Sequence, residues 1–395
     1  MKAVTWQGIH DMQVTEVPDP RIEEPTDVIV KITSTALCGS DLHLYETLAP
    51  FMEPGDIVGH EPMGIVEEVG SAVTKLRAGD RVVMPFNVCC GSCWMCDRGL
   101  FSQCETTQNR DQGTGASFFG YSKLYGQVPG GQAEYLRVPF GDFMPVKLPH
   151  EHDDDRFLFL SDVLPTAWQG LKYADVPDGG TLLVLGAGPI GDMVARMGVR
   201  AGHRVISVDR VPERLARVAA FGAQPLDLDE AANVGGVGEI VREATGGRGA
   251  DAVVDAVGME AHGSPSASLV QKFVGLLPDA VAEPMMKKAG LDRMAALYTA
   301  FDAVRRGGTV SISGVYGGAA DPIPMMQLFD KQLQLRMGQA NVRAWTDELL
   351  AMLVEDDPFG VDSFATHHLP LSEAPAAYSS FQKKEDGMVK VVFRP

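Results

Sequence analysis

The stretch TLLVLGAGPIGDMVARMGVRAGHRVISVD, residues 181–209, restricts the fold more than any other part of the chain. An apolar run leads into a glycine turn, then a helical stretch, then a second apolar run ending in an acid, which is the pattern of a βαβ unit. Gly186, Gly188 and Gly191 stand at G-x-G-x-x-G spacing, with Pro189 and Ile190 between the second and third glycines. The first glycine permits a tight turn, the second lets a pyrophosphate approach the backbone, and the third packs helix on strand. Phosphates then rest on the helix N-terminus. Asp209, ending the second strand, is placed to accept hydrogen bonds from an adenosine ribose and to repel a 2′-phosphate, so the reading is NAD rather than NADP. Arg210 beside the acid leaves NADP open, and Asp192 in the first helical turn has to point away from phosphate. A glycine turn in another α/β fold is the alternative reading.

The rest of the second half supports a doubly wound sheet. PERLARVAAFGA, residues 212–223, reads as an amphipathic helix opened by proline; residues 250–258, 307–317 and 332–340 read as further strands. Residues up to about 160 alternate short apolar runs with Gly and Pro, the texture of a β-rich domain. The expected fold class is therefore α/β, a β-rich domain joined to a Rossmann sheet.

At 395 residues with 45% hydrophobic content, the chain is long enough for two domains with cores of their own. Its 34 basic against 52 acidic residues give a net charge of −18 without a basic stripe, which disfavours nucleic acid as a partner. No uncharged run approaches the roughly 18 residues needed to span a bilayer, and the N-terminus lacks the apolar core of a signal peptide. The expected location is cytoplasmic, away from membranes.

That compartment bears on the cysteines, because clustered thiols in a reducing environment are more often metal ligands than disulfides. Five of the six cysteines lie within CCGSCWMCDRGLFSQC, residues 89–104. Cys90, Cys93, Cys96 and Cys104 follow C-x2-C-x2-C-x7-C, which a tightly folded lobe can bring to the corners of a tetrahedron around zinc, with Gly91 and Gly99 supplying turns. Four thiolates leave no open position, so such a site is structural; free or redox-active thiols are the alternative. Cys89 is spare. The sixth cysteine, Cys38 in ALCGSDLH, stands five residues before His43 and 22 before His60 of GHEP. Alone, that pair reads better as a buried small thiol and a satisfied core histidine than as metal ligands.

Cys38, Gly59-His60-Glu61, the four-cysteine lobe and the Rossmann unit ending in Asp209, in that order, resemble the zinc-dependent medium-chain alcohol dehydrogenases over essentially the whole chain. The resemblance implies a GroES-like catalytic domain from residues 1–165 and 340–395, and an NAD-binding domain over residues 166–339. It also implies two zinc ions per chain, one catalytic and one structural, and a homodimer or homotetramer. The family's catalytic zinc commonly takes Cys, His and a second Cys. Cys38 and His60 fill the first two places, but no cysteine follows Cys104. The segment where the second cysteine falls reads FLSDVLPTAWQGL, making Asp162 the candidate third ligand; taken alone, Asp162 reads as the cap of a helix beginning near Pro165.

Asp as third ligand, with MPFNVCCG, PGGQAEYLRVP and FLSDVLPTAWQG, is similar to the glutathione-independent formaldehyde dehydrogenase subgroup. That implies oxidation of formaldehyde and other small aldehydes or primary alcohols, and NAD retained by an insertion. The counterpart lies at about residues 259–297, where helical periodicity equally suits packing against a neighbouring subunit. By the same correspondence Ser40 and His43 form a proton relay, Asp41 orients His60, and Glu61 lies behind the metal as a transient ligand. Lys390 reads as a surface lysine with reach toward a pyrophosphate. Polyol and amino-alcohol dehydrogenases of the same superfamily would share every zinc and NAD residue, and an inactive NAD-binding structural or regulatory protein keeping the fold is the reading from a different class.

Overall fold

The computed structural model describes residues 1–258, 294–316 and 323–395, so most of the expected insertion lies outside the described residues. The chain divides into two compact units, Met1–Pro165 with Ala340–Pro395, and Thr166–Gln339.

The first unit is built on strands. A seven-stranded sheet runs in the order His367–Pro370, Val391–Arg394, Val28–Leu37, Glu61–Val69, Arg81–Val83 and Val146–Lys147, with Tyr135–Val138 also paired to Val28–Leu37. Val28–Leu37 is the hub, reading VIVKITSTAL with nearly every side chain buried, as a β-branched strand covered on both faces must. Its antiparallel register sets Ala36 opposite Glu61 and Leu37 opposite Val391. Three distant parts of the chain thereby meet at the end of one strand. Val28, Val30, Ile32, Val66, Val82 and Leu136 form one core beneath the sheet, and Trp6, Leu37, Leu44, Tyr378 and Phe393 belong to another. Each side chain buried completely contributes about 1.5–3 kcal/mol of transfer free energy.

The second unit is a parallel sheet of six described strands in the order Gln224–Asp227, Arg204–Asp209, Thr181–Leu185, Ala250–Asp255, Val304–Ile312 and Gln334–Met337. Strand order reverses beside Thr181–Leu185, the switch point at which such sheets bind ligands. All six strands are joined in parallel register. The expected amphipathic helix runs Pro212–Ala220, and Pro189–Arg200 follows the glycine turn. Leu183, Ile206, Val253, Val310 and Phe301 are buried together in this unit's core. No helix among the described residues is long and apolar enough to cross a membrane.

Candidate functional site

Cys38 follows the last residue of the strand Val28–Leu37, and His60 precedes the first residue of Glu61–Val69, so the pairing of these strands brings thiol and imidazole to one end of the sheet. Asp162 lies between the short turn Phe159–Ser161 and the helix Val163–Ala174. That loop is pinned by the Phe86 amide, which donates to the Ser161 carbonyl at 3.1 Å. Cys38 Sγ and Asp162 Oδ2 are 3.4 Å apart, and His60 Nε2 is 3.5 Å from the same oxygen. Cys38, His60, Glu61 and Asp162 each offer a ligand atom, all within 4.8 Å of one another.

The surroundings of this group fix its geometry. Asp41 Oδ1 lies 3.0 Å from His60 Nδ1, leaving Nε2 toward Cys38 and Asp162. The other Asp41 oxygen accepts from the Cys38 amide at 3.0 Å and from Gln132 Nε2 at 3.5 Å, while Tyr378 donates its hydroxyl to Gln132 at 2.9 Å. A buried chain therefore runs from Tyr378 through Gln132 and Asp41 to the imidazole. Gly59, at φ +95°, makes room for it, since a Cβ there would stand 2.3 Å from Gln132 Cγ. Ser40 Oγ is 3.1 Å from His60 Nε2 and 3.3 Å from Cys38 Sγ. His43 begins the next helical turn, half-buried, with its amide bonded to the Ser40 carbonyl at 3.1 Å. Phe86 and Tyr121 set their rings edge-on to His60 at 5.9 and 6.2 Å.

These groups fit a divalent cation. Burial, and then the neighbouring Asp162 carboxylate, push the Cys38 thiol up to about 11. Burial opposes protonation of His60, but Asp41 and Asp162 outweigh it and hold the imidazole well above its ordinary range. Burial also raises Glu61, although Lys390 works against the shift. A buried thiol and imidazole that hold their protons, set beside the carboxyls of Glu61 and Asp162, are a donor set that a divalent cation would bind with release of those protons.

Lys390 corrects the sequence-based reading. It is buried rather than on the surface, with Nζ 2.5 Å from Glu61 Oε1 and 3.1 Å from the Leu37 carbonyl. Neither this lysine nor Tyr378 carried a sequence signal of its role, whereas Gln132 lay within the PGGQAEYLRVP motif.

Cys90, Cys93, Cys96 and Cys104 form the second group of converging ligand atoms, and no cysteine is in a disulfide. Amides of Ser92 and Cys90 point at Cys90 Sγ and Cys104 Sγ at 3.5 and 3.4 Å. Despite partial burial, the Thr106 hydroxyl and then the Ser92 amide and hydroxyl pull the Cys90 thiol down to about 6. Gly91 and Gly99 adopt φ of +75° and +72°, the left-handed turns the lobe requires. Cys89 stands apart, buried with its sulfur 3.5 Å from Met144 Sδ.

In the second unit Gly186 turns at φ +85°, and a Cβ on Gly191 would fall 1.8 Å from the Gly186 carbonyl oxygen. At Gly188 an added Cβ would meet nothing nearer than Arg214 Nη1 at 3.7 Å, so the backbone above the turn is open to a phosphate. Pro189 and Ile190 begin the helix there. Asp192 points away from that helix end, wholly buried between Arg196 at 2.7 Å and Arg217 at 3.1 Å. Asp209 accepts from the amides of Ala187, Arg210 and Val211. Arg214 approaches it to 3.9 Å, and the Arg210 side chain turns to Asp229 at 3.1 Å.

A converging Cys-His-Asp group, a four-cysteine lobe and a parallel sheet with a glycine turn define a zinc-binding, nucleotide-binding oxidoreductase class. Residues 24–149 match the alcohol dehydrogenase GroES-like domain and residues 189–275 the zinc-binding dehydrogenase domain. A zinc-type alcohol dehydrogenase-like protein of Bacillus subtilis is 42% identical over 399 residues, covering 100% of both chains. A glutathione-independent formaldehyde dehydrogenase of Pseudomonas aeruginosa is 32% identical, across 96% of this chain and 94% of its own. Among solved structures, an alcohol dehydrogenase from Thermus sp. ATN1 superposes with a TM-score of 0.81 at 34% identity, covering 100% of this chain and 99% of that one. The chain belongs to the zinc-binding medium-chain alcohol dehydrogenase family.

Proposed function

We propose that the protein transfers hydride between NAD and a small substrate, an aldehyde in its hydrated form or a primary alcohol, at a zinc held by Cys38, His60 and Asp162. The observation that carries this is the convergence of those three side chains, from three separated segments, with one carboxylate in place of a second thiolate. A carboxylate oxygen reaches zinc at about the distance of imidazole and carries the charge of a thiolate, so the tripod stays neutral with a position open for substrate. Zinc, when bound, supplies Lewis acidity toward the substrate oxygen, and the nicotinamide supplies the hydride acceptor.

The residues of the chain do the rest. Asp41 holds the His60 ring by Nδ1 and keeps its tautomer. Ser40, within hydrogen-bond reach of both ligand side chains, takes the substrate proton and His43 passes it outward. Phe86 and Tyr121 place aromatic rings beside His60, which suits a small substrate and the exclusion of water. The four-cysteine lobe binds a second, structural zinc. Asp209 selects NAD, while Arg214 beside it offers charge to a 2′-phosphate, so NADP is the second reading at that subsite. The Pseudomonas aeruginosa relative supports formaldehyde as the first substrate to test; a homodimer or homotetramer in the cytoplasm completes the proposal.

The test is zinc per chain, with NADH and NADPH formation from formaldehyde, ethanol, a longer primary alcohol and a polyol, for wild type and Asp162→Ala. Two zincs falling to one, with NADH formation lost, is the expected result. One zinc in both proteins defeats the catalytic site and leaves a nucleotide-binding structural protein. Sorbitol as the preferred substrate transfers the assignment to the polyol branch of the family.

A further inference from the structure

Lys390 is fully buried, and nothing in the proposed reaction uses it. Burying an ammonium costs several kcal/mol unless strong partners compensate, so its contacts identify what it does there. Its Nζ donates to Glu61 Oε1 at 2.5 Å and to the Leu37 carbonyl at 3.1 Å, and stands 5.9 Å from the centroid of the Phe159 ring. Leu37 precedes Cys38, Glu61 follows His60, and Phe159 lies three residues before Asp162. One ammonium therefore touches each of the three segments that carry the converging ligands. It is delivered by the strand Val391–Arg394, whose Val391 pairs with Leu37 in the sheet. Glu61 Oε2, its other oxygen, is buried with no hydrogen-bond partner, so Lys390 is what restrains that carboxylate beside the cluster.

We infer that Lys390 is a positioning residue for the metal group: its ammonium ties the Cys38, His60 and Asp162 segments at one point and so sets the spacing of their ligand atoms. The inference rests on the proposed zinc at those residues. Its chemistry is electrostatic and geometric. The carboxyl groups of Glu61, Asp41 and Asp162 and the Cys38 sulfur crowd one buried region, and a cation fixed at the back of that cluster by Glu61 and the Leu37 carbonyl sets how closely the segments sit before and after zinc arrives. A neutral side chain of the same length packs the space but releases the Leu37 carbonyl and the Glu61 carboxylate from their common partner.

The experiment measures zinc release from the purified protein into excess EDTA, read with a pyridylazoresorcinol colour reagent, for wild type, Lys390→Met, Lys390→Arg and Lys390→Met with Glu61→Gln. The four-cysteine lobe is the internal control. Expected is a release phase of one zinc accelerated about 10–100-fold in both Met variants, a lobe phase that does not move, and a rate near wild type in Lys390→Arg. The same variants loaded with cobalt should show a shifted visible ligand-field band, which a general loss of stability does not produce. Should Lys390→Met fail to fold because Glu61 is left uncompensated, the double variant, with neither charge, decides. Release at the wild-type rate or slower in a folded Met variant overturns the inference and leaves the zinc assignment intact. A wild type that binds only the lobe zinc overturns both.

Discussion

Asp154 illustrates how a single side chain can hold the first unit together at a distance from the converging ligands. It accepts from Arg81 Nη2 at 2.7 Å, from Arg394 Nη1 at 3.1 Å and from the Ser34 hydroxyl. Burial opposes its ionisation, but the Ser34 hydroxyl and the Arg81 guanidinium outweigh burial and hold the carboxyl below its ordinary value of 3.8. A depressed folded-state value stabilises the protein above the unfolded value and loses that contribution as pH falls through the folded one. Asp154→Asn should accordingly cost about 1–3 kcal/mol near neutral pH, with the gap to wild type closing below about pH 4. Urea melts at several pH values check this, and a gap independent of pH refutes it. Legibility in the sequence follows the same logic. Gly and Cys residues at motif spacing carry chemistry in their pattern, so the glycine turn and the four-cysteine lobe could be read directly, whereas Cys38 and His60 took their meaning from the order of the motifs around them. Asp162 needed the family pattern, because an acid before a helix is also a cap. Lys390 could not be read, since a lysine near a terminus is exposed by default and only the strand pairing at Leu37 buries it.

At the scale of elements, the glycine turn separates folding from binding. Gly191→Ala places a methyl 1.8 Å from the Gly186 carbonyl, which forces the helix Pro189–Arg200 off its strand. We expect a loss of roughly 1–3 kcal/mol or more in stability, together with loss of NADH binding. Gly188→Ala meets only the far end of the Arg214 side chain, so the same melting temperature with weaker NADH binding should result. Thermal melts and fluorescence titration of the pair distinguish these outcomes; equal destabilisation in both would show that the turn has no open face. The elements themselves were largely visible in the sequence because alternation and glycine punctuation are local signals. Strand order was not local. That Val391–Arg394 lies beside Val28–Leu37 depends on packing between residues more than three hundred apart, which periodicity does not encode.

For the whole molecule, two units with separate cores, one carrying the ligand clusters and the other the glycine turn, predict separable stabilities. Chelating zinc should lower the thermal transition of the unit formed by Met1–Pro165 and Ala340–Pro395, while NADH should raise that of Thr166–Gln339. Calorimetry with each treatment alone and combined checks it; one transition moving identically under both would mean the units unfold as one. The discontinuity of the first unit also has a consequence in time. The Leu37 carbonyl and the Lys390 ammonium are separated by 353 positions. At about 5–20 residues per second, a ribosome takes roughly 20–70 s to travel from one to the other. During that interval Cys38 and His60 have emerged without the strand that locks them. A nascent chain meeting zinc early must hold it on an unfinished scaffold, or wait for the last strand to arrive.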